Sequence, residues 1–157
     1  KALGLILDEP ILRNISLANL AAIAKGGVIN KAEEQKVAER YRAAMNIRTP
    51  SVFQRVVNLS GGNQQKVVLS KWMFTEPDVL ILDEPTRGID VGAKFEIYGL
   101  MNRMADEGKG VVMISSEMPE LLGMCDRIYV MNEGELVGEL TAAEASQERI
   151  MSLIVSH

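Results

Sequence analysis

An α/β fold built on a parallel sheet is what this sequence predicts, from three observations. Val79 to Leu82 is an unbroken apolar run that ends in two carboxylates, Asp83 and Glu84. A run with no polar alternation suits a strand buried on both faces of a parallel sheet. Val91 to Ala105 then carries Ile97, Met101 and Met104 on one helical face, and a second apolar run, Val111 to Ile114, follows. Strand, helix and strand in that order make a βαβ unit with a right-handed crossover. The third observation is Ser60-Gly61-Gly62-Asn63, a capping serine and two glycines set directly ahead of a helical pattern. Free backbone N–H groups and the positive end of a helix dipole face outward there, which makes an anion site. Open parallel sheets bind ligands at the carboxyl ends of their strands, where Asp83 and Glu84 fall.

The remaining elements follow from pattern and punctuation. Leu3 to Leu7 is a short apolar run that stops at Asp8-Glu9-Pro10, read as a turn, and Ile11 to Ala24 is read as helical. Lys25-Gly26-Gly27 marks a loop. Lys31 to Asn46 places Val37, Tyr41, Ala44 and Met45 at i, i+4, i+7 and i+8, the spacing of an amphipathic helix. Thr49-Pro50-Ser51 breaks it. The next helix is expected from about Asn63 to Phe74, stopped by Glu76-Pro77, with Trp72 and Phe74 as core anchors. Within the βαβ unit residues 106–109 turn the helix into its second strand, and after the unit Met118 to Met124 form a short helix and Arg127 to Met131 a strand. Asn132-Glu133-Gly134 turns that strand into Leu136 to Leu140, and Thr141 with Glu144 has the capping-box pattern of a last helix ending near Val155.

Bulk properties narrow the function classes. At 157 residues the chain is about one domain long and can bury a real core. With 24% charged residues and a net charge of −4 it lacks the basic footprint of nonspecific nucleic-acid binding, so no nucleic-acid partner is expected. The single cysteine, Cys125, excludes an intrachain disulfide framework and fits a small buried apolar role. No apolar run approaches the roughly 20 residues that span a bilayer, and no signal peptide opens the chain. A membrane link is therefore expected to run through a partner. The chain opens at Lys1-Ala2-Leu3 without a methionine and reads as a piece of a longer protein.

LSGGNQQ from Leu59, VLILDEP from Val79 and Gly88-Ile89-Asp90 stand in one continuous run. In that order they resemble the signature motif, Walker B strand and D-loop of the ATP-binding-cassette ATPases. The wording LSGGNQQKVVLSKW and DEPTRGIDVGAKFEIY is similar to the second cassette of the duplicated ATP-binding subunit of bacterial monosaccharide importers of the ribose, galactose and xylose type. The resemblance implies a partial P-loop NTPase core, at residues 75–157, and a helical subdomain carrying the signature and its lead-in, at residues 1–74. It implies ATP and Mg²⁺ as cofactors. It also implies a partner cassette, transmembrane permease subunits and, indirectly, a sugar-binding protein as partners, at the cytoplasmic face of the cell membrane. An exposed part of the segment before Ser60 would be the coupling surface.

By the same resemblance Asp83 is the Walker B aspartate that holds Mg²⁺ mostly through its water shell. Glu84 is the catalytic base. Ser60, Gly61, Gly62, Asn63 and Gln64 are signature residues toward the nucleotide, and Asp90 is the D-loop aspartate. Two departures are visible. G-x-x-x-x-G-K-[ST] occurs nowhere in the sequence, since Gly108-Lys109 has Arg103 where the first glycine is needed; the P-loop is expected upstream of Lys1, as is the Q-loop. At Ile114-Ser115-Ser116-Glu117, Ser116 takes the place of the switch histidine, and the only histidine, His157, is a tail residue. A serine can hydrogen-bond a phosphate oxygen but cannot carry imidazole's charge near neutral pH. Two other readings stand beside the importer: a cassette ATPase of ribosomes or DNA, for which basic insertions or heptads would speak, and a noncatalytic interaction module.

Overall fold

The computed structural model describes residues 4–156, so Leu3 of the opening apolar run and the tail residue His157 lie outside it. The chain forms two compact units, Lys1–Leu80 with Thr86–Val112, and Ile81–Pro85 with Met113–His157.

In the first unit α1 (Ile11–Ser16) runs into a 3₁₀ stretch, Leu17–Ile23, with a kink at Asn19. The expected Ile11–Ala24 helix is thus real but broken. The Asp8-Glu9-Pro10 turn is present, and Asn14 holds it. The buried Asn14 carboxamide accepts from Ile6 N at 2.8 Å and donates to Ile6 O at 3.0 Å and Pro10 O at 3.1 Å. Left unsatisfied, such a group would cost about 1–3 kcal/mol. The Gly26-Gly27 loop turns out to be the tip of a small hairpin, β1 (Ala24–Lys25) with β2 (Val28–Ile29). Both glycines have positive φ, 58° and 80°, which a tight two-residue turn demands.

Helix α2 (Lys31–Ala44) is capped by Asn30, whose side chain accepts from Ala32 N and Glu33 N. Of the expected stripe Met45 is buried, Val37 and Tyr41 are half-buried and Ala44 is exposed, while Glu34 and Ala38 are buried beside it, so the inward face is centred slightly to one side of that stripe. Tertiary context explains the shift: Ser16 of α1 donates to the buried Glu34 carboxylate at 2.7 Å. A second 3₁₀ turn, Val56–Asn58, leads into α3 (Gly61–Met73), which packs with α2 against α1. Ile11, Ile15, Val52, Val56, Val67 and Leu69 are fully buried in this unit. Phe74 joins them, edge-on to Tyr41 at 6.1 Å. Trp72 does not, at 44% exposed. It sits roughly 200° around the helix from the buried Ser70, under the Lys71 ammonium.

The βαβ unit is β3 (Val79–Asp83), α4 (Val91–Asp106) and β4 (Gly110–Ile114), with Ile97, Met101 and Met104 buried along α4 as the periodicity requires. β3 and β4 pair with each other. Asp78 O accepts from Gly110 N at one end and Glu84 N donates to Ile114 O at the other, each at 2.8 Å, so the two strands run parallel. Burial on both faces is not what β3 shows: Leu80 and Leu82 are covered, whereas Val79 and Ile81 are 57% and 66% exposed. Solvent reaches one face of this two-stranded sheet.

The second unit holds α5 (Met118–Met124), the antiparallel pair β5 (Arg127–Asn132) and β6 (Glu135–Thr141), and α6 (Gln147–Val155). Glu133 and Gly134 make the hairpin turn with φ of 49° and 87°. Ile128, Val130, Leu140 and Ile150 form its core, with Leu153 and Met118 packed against it. The capping box is present, since Thr141 N and Oγ1 both bond Glu144 Oε2, but it closes a turn. The helix starts later, capped by Ser146. A side chain at Gly138 would meet Leu153, its Cβ 2.5 Å from Cδ1, so β6 is glycine there to let α6 lie down. Gly138→Val should destabilise the protein by about 1–3 kcal/mol through overpacking. Combined with Leu153→Ala the losses should be less than additive in urea unfolding; strict additivity would show that the contact is not what fixes this position.

Candidate functional site

Two helix N-termini meet in the first unit, and their caps define the site. Ser60 precedes α3 with extended backbone, and its Oγ accepts from Asn63 N at 3.4 Å and from Asn63 Nδ2 at 3.0 Å. Asn63 is itself oriented, because its Oδ1 accepts from Arg48 N at 2.9 Å. With both acceptor positions of its oxygen used, Ser60 is left with its hydroxyl proton to donate outward. Asp90 caps α4 in the same manner, accepting from Ala93 N at 2.9 Å. The two helices touch where Gly62 faces Ala93. A Cβ on Gly62 would lie 2.6 Å from the Ala93 Cβ, closer than any two carbons pack.

Between these ends lies a cleft of about 170 Å³, bordered by Ser60, Arg48, Lys66, Asp90, Gly92 and Glu96. Its size suits the end of a polyphosphate and not a whole nucleotide, since drug-sized pockets start near 300 Å³. Lys66 is buried at its inner wall, donating to Asn46 O at 2.9 Å and pairing with the Glu96 carboxylate. Arg48, on the rim, pairs with the other Glu96 oxygen at 2.9 Å. The hydrogen bond from Lys66 holds the Glu96 carboxyl below its ordinary 4.5, helped by both cations and opposed by desolvation and by Asp90.

Gln64 turns away from this cleft. Its Nε2 donates to Val56 O at 3.3 Å and Leu59 O at 3.2 Å, pinning the lead-in turn to α3. In the second unit Asp83 ends β3, exposed, and Glu84 follows it in a left-handed conformation with φ of 46°. That backbone aims the Glu84 carboxylate at the loop after β4, where Oε1 accepts from Ser116 N at 3.0 Å. The contact is made by the Ser116 backbone, while Ser115 Oγ bonds Glu120 and Glu117 N. No cluster of three or more His, Cys, Asp or Glu able to cage a metal occurs among the described residues. A lone exposed aspartate still fits Mg²⁺, which keeps most of its waters and takes further oxygens from phosphate. Cys125 packs against the second unit's core, and burial pushes its thiol up.

The model of a family described as ABC transporter matches residues 5–87, more than half of the chain. This chain belongs to the ABC transporter family. It is 60% identical over 98% of its length to an L-arabinose transport ATP-binding protein, AraG, of Geobacillus stearothermophilus, covering 30% of that protein. It is 56% identical over 96% of its length to a xylose import ATP-binding protein, XylG, of Thermoanaerobacter pseudethanolicus, again covering 30%. The chain thus spans about a third of the length of these relatives. Among solved structures, a dimeric ATP-binding cassette in a post-hydrolysis state bound to ADP and Pi superposes with a TM-score of 0.75 at 24% identity, covering 88% of this chain and 59% of that one. The ADP conformation of another ATP-binding cassette of an ABC transporter gives 0.76 at 18% identity, over 97% and 65%. The fold is therefore that of the ABC cassette. No helix of the described residues is long and apolar enough to cross a membrane.

Sequence reasoning passed over Arg48, Lys66 and Glu96 at this cleft. A signal for Lys66 existed: it lies four residues after Gly62, inside the stripe continued by Leu69 and Ser70, where a charge is out of place. Nothing in the pattern of residues 46–49 marks Arg48. Two outcomes test the geometry. Gly62→Ala should force α3 and α4 apart and cost about 1–3 kcal/mol, with most of it regained in the Gly62→Ala/Ala93→Gly double variant by denaturant unfolding; no recovery would place the strain elsewhere. Because the folded-state pKa of Glu96 is depressed, its contribution is present above its unfolded value and lost as pH falls through the folded one. The melting-temperature gap between wild type and Glu96→Gln should hold steady near neutral pH and narrow on acidification below about 4.5. A gap that stays constant into acid would show the pair to be energetically silent.

Proposed function

We propose that this chain is the signature and Walker B part of an ATP-hydrolysing subunit that drives monosaccharide import. The observation that carries this reading is the phosphate-sized cleft at the joined N-termini of α3 and α4, with the Ser60 hydroxyl left to donate into it. Arabinose transport and xylose import in the names of close relatives favour a sugar cargo over ribosome or DNA work; a ribose import ATP-binding protein, RbsA, of Bacillus licheniformis is 55% identical over 96% of the chain and 30% of its own length.

In this reading residues 1–74 are the helical subdomain and 75–157 part of the ATPase core. Ser60, Gly61, Gly62 and Asn63 face the γ-phosphate of an ATP seated on the P-loop of a partner cassette, Gln64 shapes their lead-in turn, and Asp90 lies at the cassette interface. Asp83 holds Mg²⁺ through its waters, and Glu84 takes the proton of the attacking water. Mg²⁺, when bound, neutralises charge developing on the phosphoryl oxygens. The subunit sits peripherally at the cytoplasmic face of the membrane, on permease subunits fed by a sugar-binding protein.

Ser116 gives this half a particular role. Its side chain lacks imidazole, and its backbone N–H bonds one oxygen of the Glu84 carboxylate. The intact signature then serves chiefly to complete the neighbour's site. Ser60→Arg in the full-length subunit places bulk and charge where phosphate must approach. Trapped or photolabelled nucleotide should vanish from the P-loop of the first cassette and persist on that of the second. The reverse pattern would refute the assignment.

A further inference from the structure

Lys66 is in an unfavourable place for a cation. It lies in the second turn of α3, near the positive end of the helix dipole, with its side chain only 3% exposed. Burying an ammonium costs several kcal/mol before its partners repay it, and a methionine or leucine would fill the same space more cheaply. What the ammonium provides is a set of directed bonds to two other segments. One goes to Asn46 O, at a left-handed residue just beyond α2, and one to Glu96 on α4. Glu96 also holds the Arg48 guanidinium, and the Arg48 N–H holds Asn63, which sits on α3 one turn before Lys66 and orients Ser60. The bonds close into a ring that leaves α3, crosses α4 and the 46–48 loop, and returns to α3 beside the cap.

The same stripe carries the closest helix contact. Gly62 and Lys66 are four apart on α3, and Ala93 and Glu96 three apart on α4, so the Gly62–Ala93 contact and the ion pair lie one turn from each other. A single small-residue contact is a pivot. The ion pair one turn on stops the roll about it.

We propose that Lys66 and Glu96 are positioning residues, clamping α3 to α4 so that the Ser60 hydroxyl and the Gly61 and Gly62 amides meet an incoming phosphate as one rigid surface, with the Asp90 cap held beside it. The proposal rests on the signature reading above. Lys66 acts through these groups, since two of its three protons are committed to Asn46 O and Glu96 and its side chain is only 3% exposed. Misplacement of reacting groups by about 1 Å costs on the order of a hundredfold in rate.

The test is steady-state ATP hydrolysis by the full-length subunit. Lys66→Met should lower kcat by about tenfold to a hundredfold with KM for ATP changed less than about threefold, and Lys66→Arg should recover most of the loss. Glu96→Gln, which preserves volume, should show the same split and stands in if Lys66→Met melts below the assay temperature. A kcat that stays within about twofold of wild type in folded Glu96→Gln and Lys66→Met overturns the proposal, as does a KM that rises in step with the fall in kcat. Ser60→Arg in the same assay separates the layers. Abolished turnover there with normal Lys66 and Glu96 variants removes only the clamp, whereas wild-type turnover in Ser60→Arg removes the signature reading and the clamp with it.

Discussion

The contact of Gly62 with Ala93 is the constraint on which the first unit's chemistry depends. Helices usually meet along their flanks with axes 8–10 Å apart, held off by side chains. Here one partner has no Cβ and the other only a methyl, so the first turn of α3 reaches the first turn of α4. Each first turn has N–H groups without helical partners, and each is capped by one short side chain, Ser60 or Asp90. Bringing the two ends together concentrates donors and positive potential in a small volume. A larger residue at position 62 would disperse them.

The caps differ in chemistry. An ionised aspartate can only accept, so Asp90 holds its own helix end and contributes negative charge. A serine can accept and donate, and the Asn63 backbone N–H and carboxamide supply the bonds it accepts. That arrangement aims the remaining proton at whatever approaches the helix end. Glu96 and Asp90 together offset the two cations Lys66 and Arg48, so the charged side chains lining the cleft are nearly neutral in sum and the attraction for an anion comes from the N–H groups of the helix ends.

The second unit solves a separate problem with backbone geometry. Glu84 takes a left-handed conformation just after β3, and its carboxylate meets the Ser116 amide on the loop after β4. Positive φ in a residue with a side chain is a strained state that needs surrounding structure to hold it. The parallel bond from Glu84 N to Ile114 O and the buried Pro85 do so from either side. The backbone N–H at position 116 is present whatever side chain stands there. The tie between the two loops therefore does not depend on the side chain of Ser116.

Local signals determined most of the architecture. The βαβ order, the hairpin at Glu133-Gly134, the cap at Ser60 and the stripe Ile97, Met101 and Met104 are each written in residues close together in the chain, so periodicity and turn chemistry expose them. The residues named for the signature and Walker B motifs stand at the start of α3 and the end of β3, where local capping and strand patterns put them. Where prediction failed, long-range packing decided. Trp72 faces solvent because the inward stripe of α3 is set by α1 and the lead-in loop. Glu34 turns inward because Ser16, 18 residues away, meets it. The break after Ser16 and the later start of α6 are settled by which turns can close against neighbours. Arg48 and Glu96 lie 48 residues apart and share no local pattern, so their pairing exists only once α4 has folded back beside α3. Sequence by itself determined which donor and acceptor atoms the cleft has on offer, since caps, glycines and carboxylates act through their own covalent structure. Tertiary structure decided how they are aimed, because direction and distance between helices depend on contacts that no local stretch contains.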